Sequence, residues 1–347
     1  MAACPDPPQQ ALESVLTAAP ATSSHFKESE FSVVTTERID THAAHATEEH
    51  RVRLLSAEPA IPARMVLDTD AWNEIDDQFA LTHVLLAPDR VRLEAVYAAP
   101  FCNNRAATPG EGMRKSEDEI RRVMDALPER KIPVFSGSDR WLTDAGAPVA
   151  SPAASDLIER ARGGDSPLYV VAIGAPTNVA SALIADPGLA ERIVVVWLGG
   201  HALNWGTTGE FNLRQDPAAS RVLLDSGVPL VLVPCNGVAD RMITTKGDID
   251  RYVRPVGNIG ALLAGLYDDY VPDEPGRSKV IWDLAATSWV LHRDWIDTEF
   301  TSSPILTSGL TWSRDPHRHL ILCATQVRRD HILGDLFRRL AEHHGSR

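Results

Sequence analysis

Cysteine is scarce. The 347 residues contain four, Cys4, Cys102, Cys235 and Cys323. They are far apart and form no C-x-x-C pair, so neither a disulfide scaffold nor a zinc knuckle is indicated. The expectation is reduced thiols in a cytoplasmic protein, with Cys235 and Cys323 in the core because each ends an apolar run. No apolar run is long enough to span a bilayer. The N-terminus lacks the basic-then-apolar pattern of a secretory signal. Basic residues are outnumbered, 34 Lys and Arg against 47 Asp and Glu, for a net charge of −13. A field of that sign argues against nucleic acid or an anionic membrane as partner, and disfavours strongly anionic substrates unless a metal reverses it locally. There is no internal repeat.

Residues 1–63 hold little apolar periodicity and much Ala, Ser, Thr, Glu, Pro and His. They read as a mostly disordered tail with one short helix near residues 10–17. Met65 stands at the entry to the first apolar run, which raises the expectation that translation starts there. From residue 64 to 347 the pattern is one domain. Apolar runs recur at 91–98, 133–135, 168–173, 193–198 and 228–234, several continuous and β-branched, as in strands buried on both faces. Helical periodicity occupies 78–87, 112–127, 155–161, 178–184, 216–226, 259–270, 284–292 and 330–343. This βαβα order predicts an α/β fold, an open, mostly parallel sheet with helices on both faces, Rossmann-like.

What stands out is Asp68-Thr-Asp70-Ala-Trp72-Asn73-Glu74-Ile-Asp76-Asp77, directly after Met65-Val66-Leu67. Asp and Asn suit turns and helix starts, and one or two would need nothing more. Five acids within ten residues at the carboxyl end of a strand repel one another unless a cation joins them. Oxygen ligands favour Ca²⁺ or Mg²⁺. Other strand ends carry polar or small residues: Asn103-Asn104, Gly174-Ala-Pro-Thr177-Asn178, Gly199-Gly200-His201, Asn204, Gly209-Glu210-Phe211-Asn212 and Trp282-Asp283. If these ends share one rim, they converge on one cavity.

The set D-T-D…D-D, G-A-P-T-N, L-G-G…N…G-E-F-N…D-P-A-A and a late W-D resembles the calcium-dependent, inosine-uridine-preferring nucleoside hydrolases over residues 65–340. The resemblance implies hydrolysis of the N-glycosidic bond of ribonucleosides to free base and ribose, with Ca²⁺ as cofactor. It implies a calcium-bound water activated by Asp70, and Asp70, Asp77, Asp283 and the Thr177 carbonyl as metal ligands. Asp76, Asn204, Glu210 and Asn212 then hold ribose hydroxyls, with Asn103 or Asn104 beside them. Leu198 takes a place where the family often has Met against the sugar. A homodimer or homotetramer is implied, with a small nucleoside or riboside as partner.

Three departures bear on the substrate. Five residues separate Asp70 from Asp76 where the usual motif has three, which adds Trp72, Asn73 and Glu74 near the metal. Trp282 replaces a histidine acid, as in the purine-preferring branch, and an electron-rich indole face favours a protonated purine; Trp141 and Trp205 are candidates for a second stacking face. Residues 236–241 lack the usual Thr-His, leaving His201 as the nearest alternative acid in sequence. Two other readings stay open. One is a haloacid-dehalogenase-type phosphatase, with Asp68 as nucleophile and Lys246, Asp248 and Asp250 downstream. The other is a non-catalytic riboside binder of the same fold.

Overall fold

The apolar run before the acidic motif forms strand β1 (Ala63–Thr69), buried along its whole length. Side chains alternate between its faces, Met65 and Leu67 joining one core and Val66 the other. This is why the run shows no polar alternation: both faces are covered. The computed structural model describes residues 46–143 and 146–345. The remaining strands are β2 (Val91–Ala98), β3 (Val134–Ser136), β4 (Leu168–Ala172), β5 (Ile193–Leu198), β6 (Leu230–Val233), β7 (Ile243–Thr245), β8 (Ser278–Val280), β9 (Ile296–Ser302), β10 (Ile305–Leu306), β11 (Trp312–Ser313) and β12 (Leu320–Val327).

Eight strands form the central sheet in the order β3-β2-β1-β4-β5-β6-β12-β9, and β7–β8 and β10–β11 are short ribbons. Pairing is parallel from β3 through β12, and β9 closes one edge antiparallel. The expected open, mostly parallel α/β sheet is present. β9 and β12 were not anticipated; β9 is a half-exposed edge whose sequence, IDTEFTS, carries no buried run.

Helices cover both faces. Asp76–Leu85, Pro109–Ala126, Gly257–Tyr270, Leu284–Leu291 and Arg329–Gly345 supply one core, with Phe79, Ile120, Leu263, Trp289 and Leu336 fully buried. Pro152–Arg162, Thr177–Ala185 and Pro217–Asp225 supply the other, through Leu157, Val179 and Leu223. Each such side chain contributes roughly 1.5–3 kcal/mol by leaving water. The helix expected at 112–127 starts three residues earlier, at Pro109, because the Thr108 hydroxyl accepts from Glu111 N at 3.1 Å and proline suits the first turn.

The reading of residues 1–63 as a tail needs correction where it can be compared. A helix, Glu48–Ser56, lies within it, and the short helix expected near 10–17 falls outside the described residues. The Glu48–Ser56 helix docks through Leu55, which is fully buried, and Arg51, which donates from Nε to the Gly227 carbonyl at 2.7 Å. Its sequence is mostly polar, so only these tertiary contacts mark it. Cys235 and Cys323 are free and buried, as expected. No helix among the described residues is long and apolar enough to cross a membrane.

Candidate active site

The strand order 3-2-1-4-5-6 reverses between β1 and β4. At such a point the loops leaving neighbouring strands part in opposite directions and open a crevice at the carboxyl ends. Asp70 follows β1 there, and Gly174 follows β4. A Cβ added at Gly174 would lie 3.0 Å from Ala99 Cβ and 3.2 Å from Asp70 Cβ, tighter than ordinary contact, so a side chain there would press the two loops apart by a few tenths of an ångström.

The cavity in this crevice measures about 200 Å³. Asp70, Asp76, Asp77 and Asp283 form its acidic end, with Asn73 and Glu74 beside them; His201, Glu210, Phe211, Asn212, Cys235, Asn236, Leu198, Ile173 and Trp282 complete the lining. Asp76 and Asp77 open the helix Asp76–Leu85, and Asp283 precedes Leu284–Leu291. Carboxylate oxygens of Asp76, Asp77 and Asp283 all lie within 4.8 Å of one another. Asp76 Oδ2 accepts from Trp282 N at 3.2 Å, and Asp77 Oδ1 accepts the Thr69 hydroxyl proton.

These carboxyls are placed at high electrostatic cost. Burial, then the charges of Asp77, Asp76 and Glu210, pushes Asp70 well above the usual carboxylate range. Burial and neighbouring acids do the same to Asp77 and Asp283. Burial lifts Asp76 to about 6, although Lys279 opposes the shift. Asp70 Oδ2 and Asp283 Oδ2 are buried without a hydrogen-bond partner. Orphaned carboxylate oxygens among like charges fit a hard divalent cation.

The remaining expected residues divide. Glu210 lines the cavity, but its carboxylate caps the helix Phe211–Gln215: Oε1 accepts from Asn212 N at 2.7 Å, and Oε2 accepts from Gly200 N at 2.9 Å and Leu213 N at 3.1 Å. Gly200 makes that turn at φ +67°, a conformation side chains disfavour. Asn212 Nδ2 donates to the Ile173 and Leu198 carbonyls, both at 3.1 Å. Leu198 and Trp282 line the cavity. Thr177 is buried and its hydroxyl donates to Asp216 at 2.8 Å; it is not among the lining residues. Asn103 faces the loop, donating to Asn73 Oδ1 at 2.8 Å, while Asn104 and Asn204 are exposed and outside the lining. Trp141 and Trp205 also lie outside it.

The phosphatase elements do not assemble. Lys246 lies on the surface beside Asp250 and Asp268, and Asp68 accepts from Asn178 Nδ2 at 2.7 Å beneath the site. Sequence reasoning missed Lys279, Cys235 and Asn236. Lys279 is only 9% exposed, and its Nζ lies 2.5 Å from Glu74 Oε2 and 2.7 Å from the Val280 carbonyl. A buried lysine is rare enough that nothing in the local pattern marked it.

Residues 65–333 match the family model for inosine-uridine preferring nucleoside hydrolase. The pyrimidine-specific ribonucleoside hydrolase RihA of Salmonella paratyphi A is 28% identical over 264 residues, covering 64% of this chain and 84% of that protein. RihA of an Enterobacter species is 28% identical over 233 residues, covering 60% and 70%. Among solved structures, a plant nucleoside hydrolase, PpNRh1, superposes with a TM-score of 0.65 at 19% identity, covering 80% of this chain and 99% of that one. The purine-preferring ribonucleoside hydrolase of Gardnerella vaginalis superposes at 0.61 with 19% identity, covering 82% and 100%. The fold, the acidic crevice at the β1/β4 switch point and the family match over most of the chain agree: the protein belongs to the inosine-uridine preferring nucleoside hydrolase family, enzymes that hydrolyse the N-glycosidic bond of ribonucleosides.

Proposed function

We propose that the chain releases ribose from nucleosides, purines preferred, with a calcium ion held by Asp70, Asp77 and Asp283. The observation that carries this is the pair of buried, unpartnered oxygens, Asp70 Oδ2 and Asp283 Oδ2, in an acid-lined cavity. By proximity alone Asp76 groups with Asp77 and Asp283, whereas the resemblance pairs Asp70 with them. The assignment to Asp70 rests on its orphaned oxygen; Asp76 already accepts from Trp282 N and feels Lys279, which suits it to a sugar hydroxyl. The Thr177 carbonyl remains the proposed fourth protein ligand.

When bound, the ion lowers the pKa of water and fixes neighbouring hydroxyls of the sugar. Bond breaking passes through a ribosyl cation-like state, with water on one face and the base leaving from the other. Asp70 accepts the water proton. Asp76 accepts from a ribose hydroxyl. Both Nδ2 bonds of Asn212 go to backbone carbonyls, which leaves its side-chain oxygen as acceptor for a second hydroxyl. Leu198 supplies apolar contact to the ring. Trp282 lines the cavity one residue before Asp283 and offers its indole face to the departing base.

The test is ribose release from inosine, guanosine, adenosine, cytidine, uridine and nicotinamide riboside, with and without chelator. Ribose release that disappears both with chelator and in Asp70→Asn supports the calcium hydrolase. Nucleoside binding without release from any of the panel would move the reading to a non-catalytic binder. A pyrimidine optimum would overturn the role given to Trp282.

A further inference from the structure

A second cavity, of about 240 Å³, lies apart from the first and shares no lining residue with it. It sits at the end of the β7–β8 ribbon. Lys246 directly follows β7, Arg277 directly precedes β8, and Thr245 pairs with Ser278 between them. Tyr267 and Asp268, in the last turn of the helix Gly257–Tyr270, form another wall, and the chain leaving that helix closes the space with Val271, Pro272, Asp273 and Glu274. Tyr267 is 1% exposed, yet its hydroxyl has no hydrogen-bond partner among the described residues. Burial raises the pKa of this phenol; Lys246 opposes the shift, and Asp248, Asp268 and Asp250 add to it. Those charges set the hydroxyl on the side of Lys246 and Asp268, where the cavity lies. A buried polar atom without a partner calls for one that the chain does not supply.

Most of the charge around this cavity is already paired. Lys246 Nζ lies 3.4 Å from Asp268 and 3.5 Å from Asp250. Arg254 takes both oxygens of Asp268, at 3.0 Å and 2.9 Å. Arg277 Nε donates to Glu274 at 2.8 Å. Asp273 is the carboxylate left over. It is exposed, makes no hydrogen bond or ion pair among the described residues, and acts on Lys246 only through its charge. With both lining bases paired and a net charge of −13 on the chain, an anion is disfavoured. One free carboxylate offers too few oxygens for Ca²⁺ or Mg²⁺, which take about six or more. A cation that carries its charge on a hydrogen-bonding group answers the acid and the phenol together. Val271 and Pro272 offer apolar surface to the rest of it.

We propose that this cavity is a second ligand site, which takes a short alkylammonium ion with its ammonium group held between the Tyr267 hydroxyl and the Asp273 carboxylate. The phenol oxygen accepts one N–H; the carboxylate accepts another and balances the charge. The alkyl part lies against Val271 and Pro272. The site stands apart from the acidic crevice and does not depend on the hydrolase reading.

The test is calorimetric titration of the full chain with n-butylamine, an ammonium ion at about pH 7. Calcium chloride in excess competes for the carboxylates of the crevice. 1-Butanol matches the amine in size without its charge. The expected dissociation constant is about 1 mM, in keeping with so small a ligand. Tyr267→Phe, which removes one oxygen, and Asp273→Asn, in the exposed chain after the helix, should each weaken binding by about tenfold or more. 1-Butanol should not bind. Thermal unfolding gives a second reading. n-Butylamine should raise the midpoint of wild type and not that of either variant. Without amine, Tyr267→Phe should melt at or above wild type, because it removes an unpaired buried polar group. Equal affinity in wild type and both variants overturns the proposal, because the amine then sits elsewhere. Equal binding of 1-butanol overturns it as well, and so does no binding up to about 10 mM, which leaves the cavity to water.

Discussion

Two walls of one cavity are built in opposite ways. The wall after β1 is anchored side chain by side chain, through Arg105, Asn103 and Lys279, and presents Asn73 and Glu74. The wall after β5 is anchored through its backbone, by Gly200, Asn212 and Leu213 donating to Glu210, and leaves Asn204 and Trp205 exposed. A carboxylate used as a cap gives a precise turn but has little left for a ligand. A loop fixed by outlying cations keeps its own polar groups for the cavity.

The comparison breaks most severely at the acid cluster that both walls share. Asp70→Asn should lower kcat by about 10²–10⁴, the range for losing a positioned base, as measured by ribose release under saturating substrate. Near-normal turnover would remove Asp70 from the chemistry. Next in size is Trp282→Leu, expected to lower kcat/KM for purine nucleosides by roughly tenfold while affecting pyrimidines less, since one aromatic contact is worth about 0.5–1.5 kcal/mol. A uniform drop across bases would make Trp282 a packing residue.

The pH response sharpens the electrostatic side. Burial holds Asp68 up at about 7 and Asp76 at about 6, above the ordinary 3.8. Between the ordinary and raised values the folded state binds more protons than the unfolded chain. These two groups therefore cost stability as pH rises through that window, and the cost is relieved as pH falls toward 3.8. The carboxyls of Asp70, Asp77 and Asp283 are raised by burial and by one another in the same way, and a cation held by them must displace their protons. Calorimetry in buffers of different ionisation enthalpy should show more protons released per calcium at about pH 5.5 than at about pH 8, with weaker apparent affinity at the lower pH. No proton release at either pH would mean the carboxyls are already ionised without metal.

The smallest expected effect lies on the other wall. Asn204→Ala should change kcat/KM by no more than about twofold, because an exposed side chain outside the lining has little to lose. A loss of a hundredfold would show that this loop folds over the substrate and that the contrast between the walls holds only without ligand.

Much of the site was legible because its residues lie close in sequence. Asp70, Asp76 and Asp77 come from one strand-to-helix turn, and the charge density alone called for a cation. Glu210 and Asn212 were found through a spacing shared with a family, and the structure adds that the glutamate is consumed in capping. The helix Glu48–Ser56 was hidden because Leu55 and Arg51 report burial only through contacts with distant segments. Lys279 was hidden for the same reason, its partner Glu74 lying 205 residues away.

The sequence by itself determined the fold class, the position of the acids at the end of β1, and the family, since periodicity and short-range spacing are local properties of the chain. Only the tertiary structure decided which polar residues reach the cavity. It brought Asp283 to Asp76 and Asp77, Lys279 to Glu74 and Arg105 to Trp72, and it left Asn104 and Asn204 in solvent. The reason is physical: whether a side chain meets a ligand, a cap or water depends on how strand ends distant in sequence are set beside one another by a shared sheet.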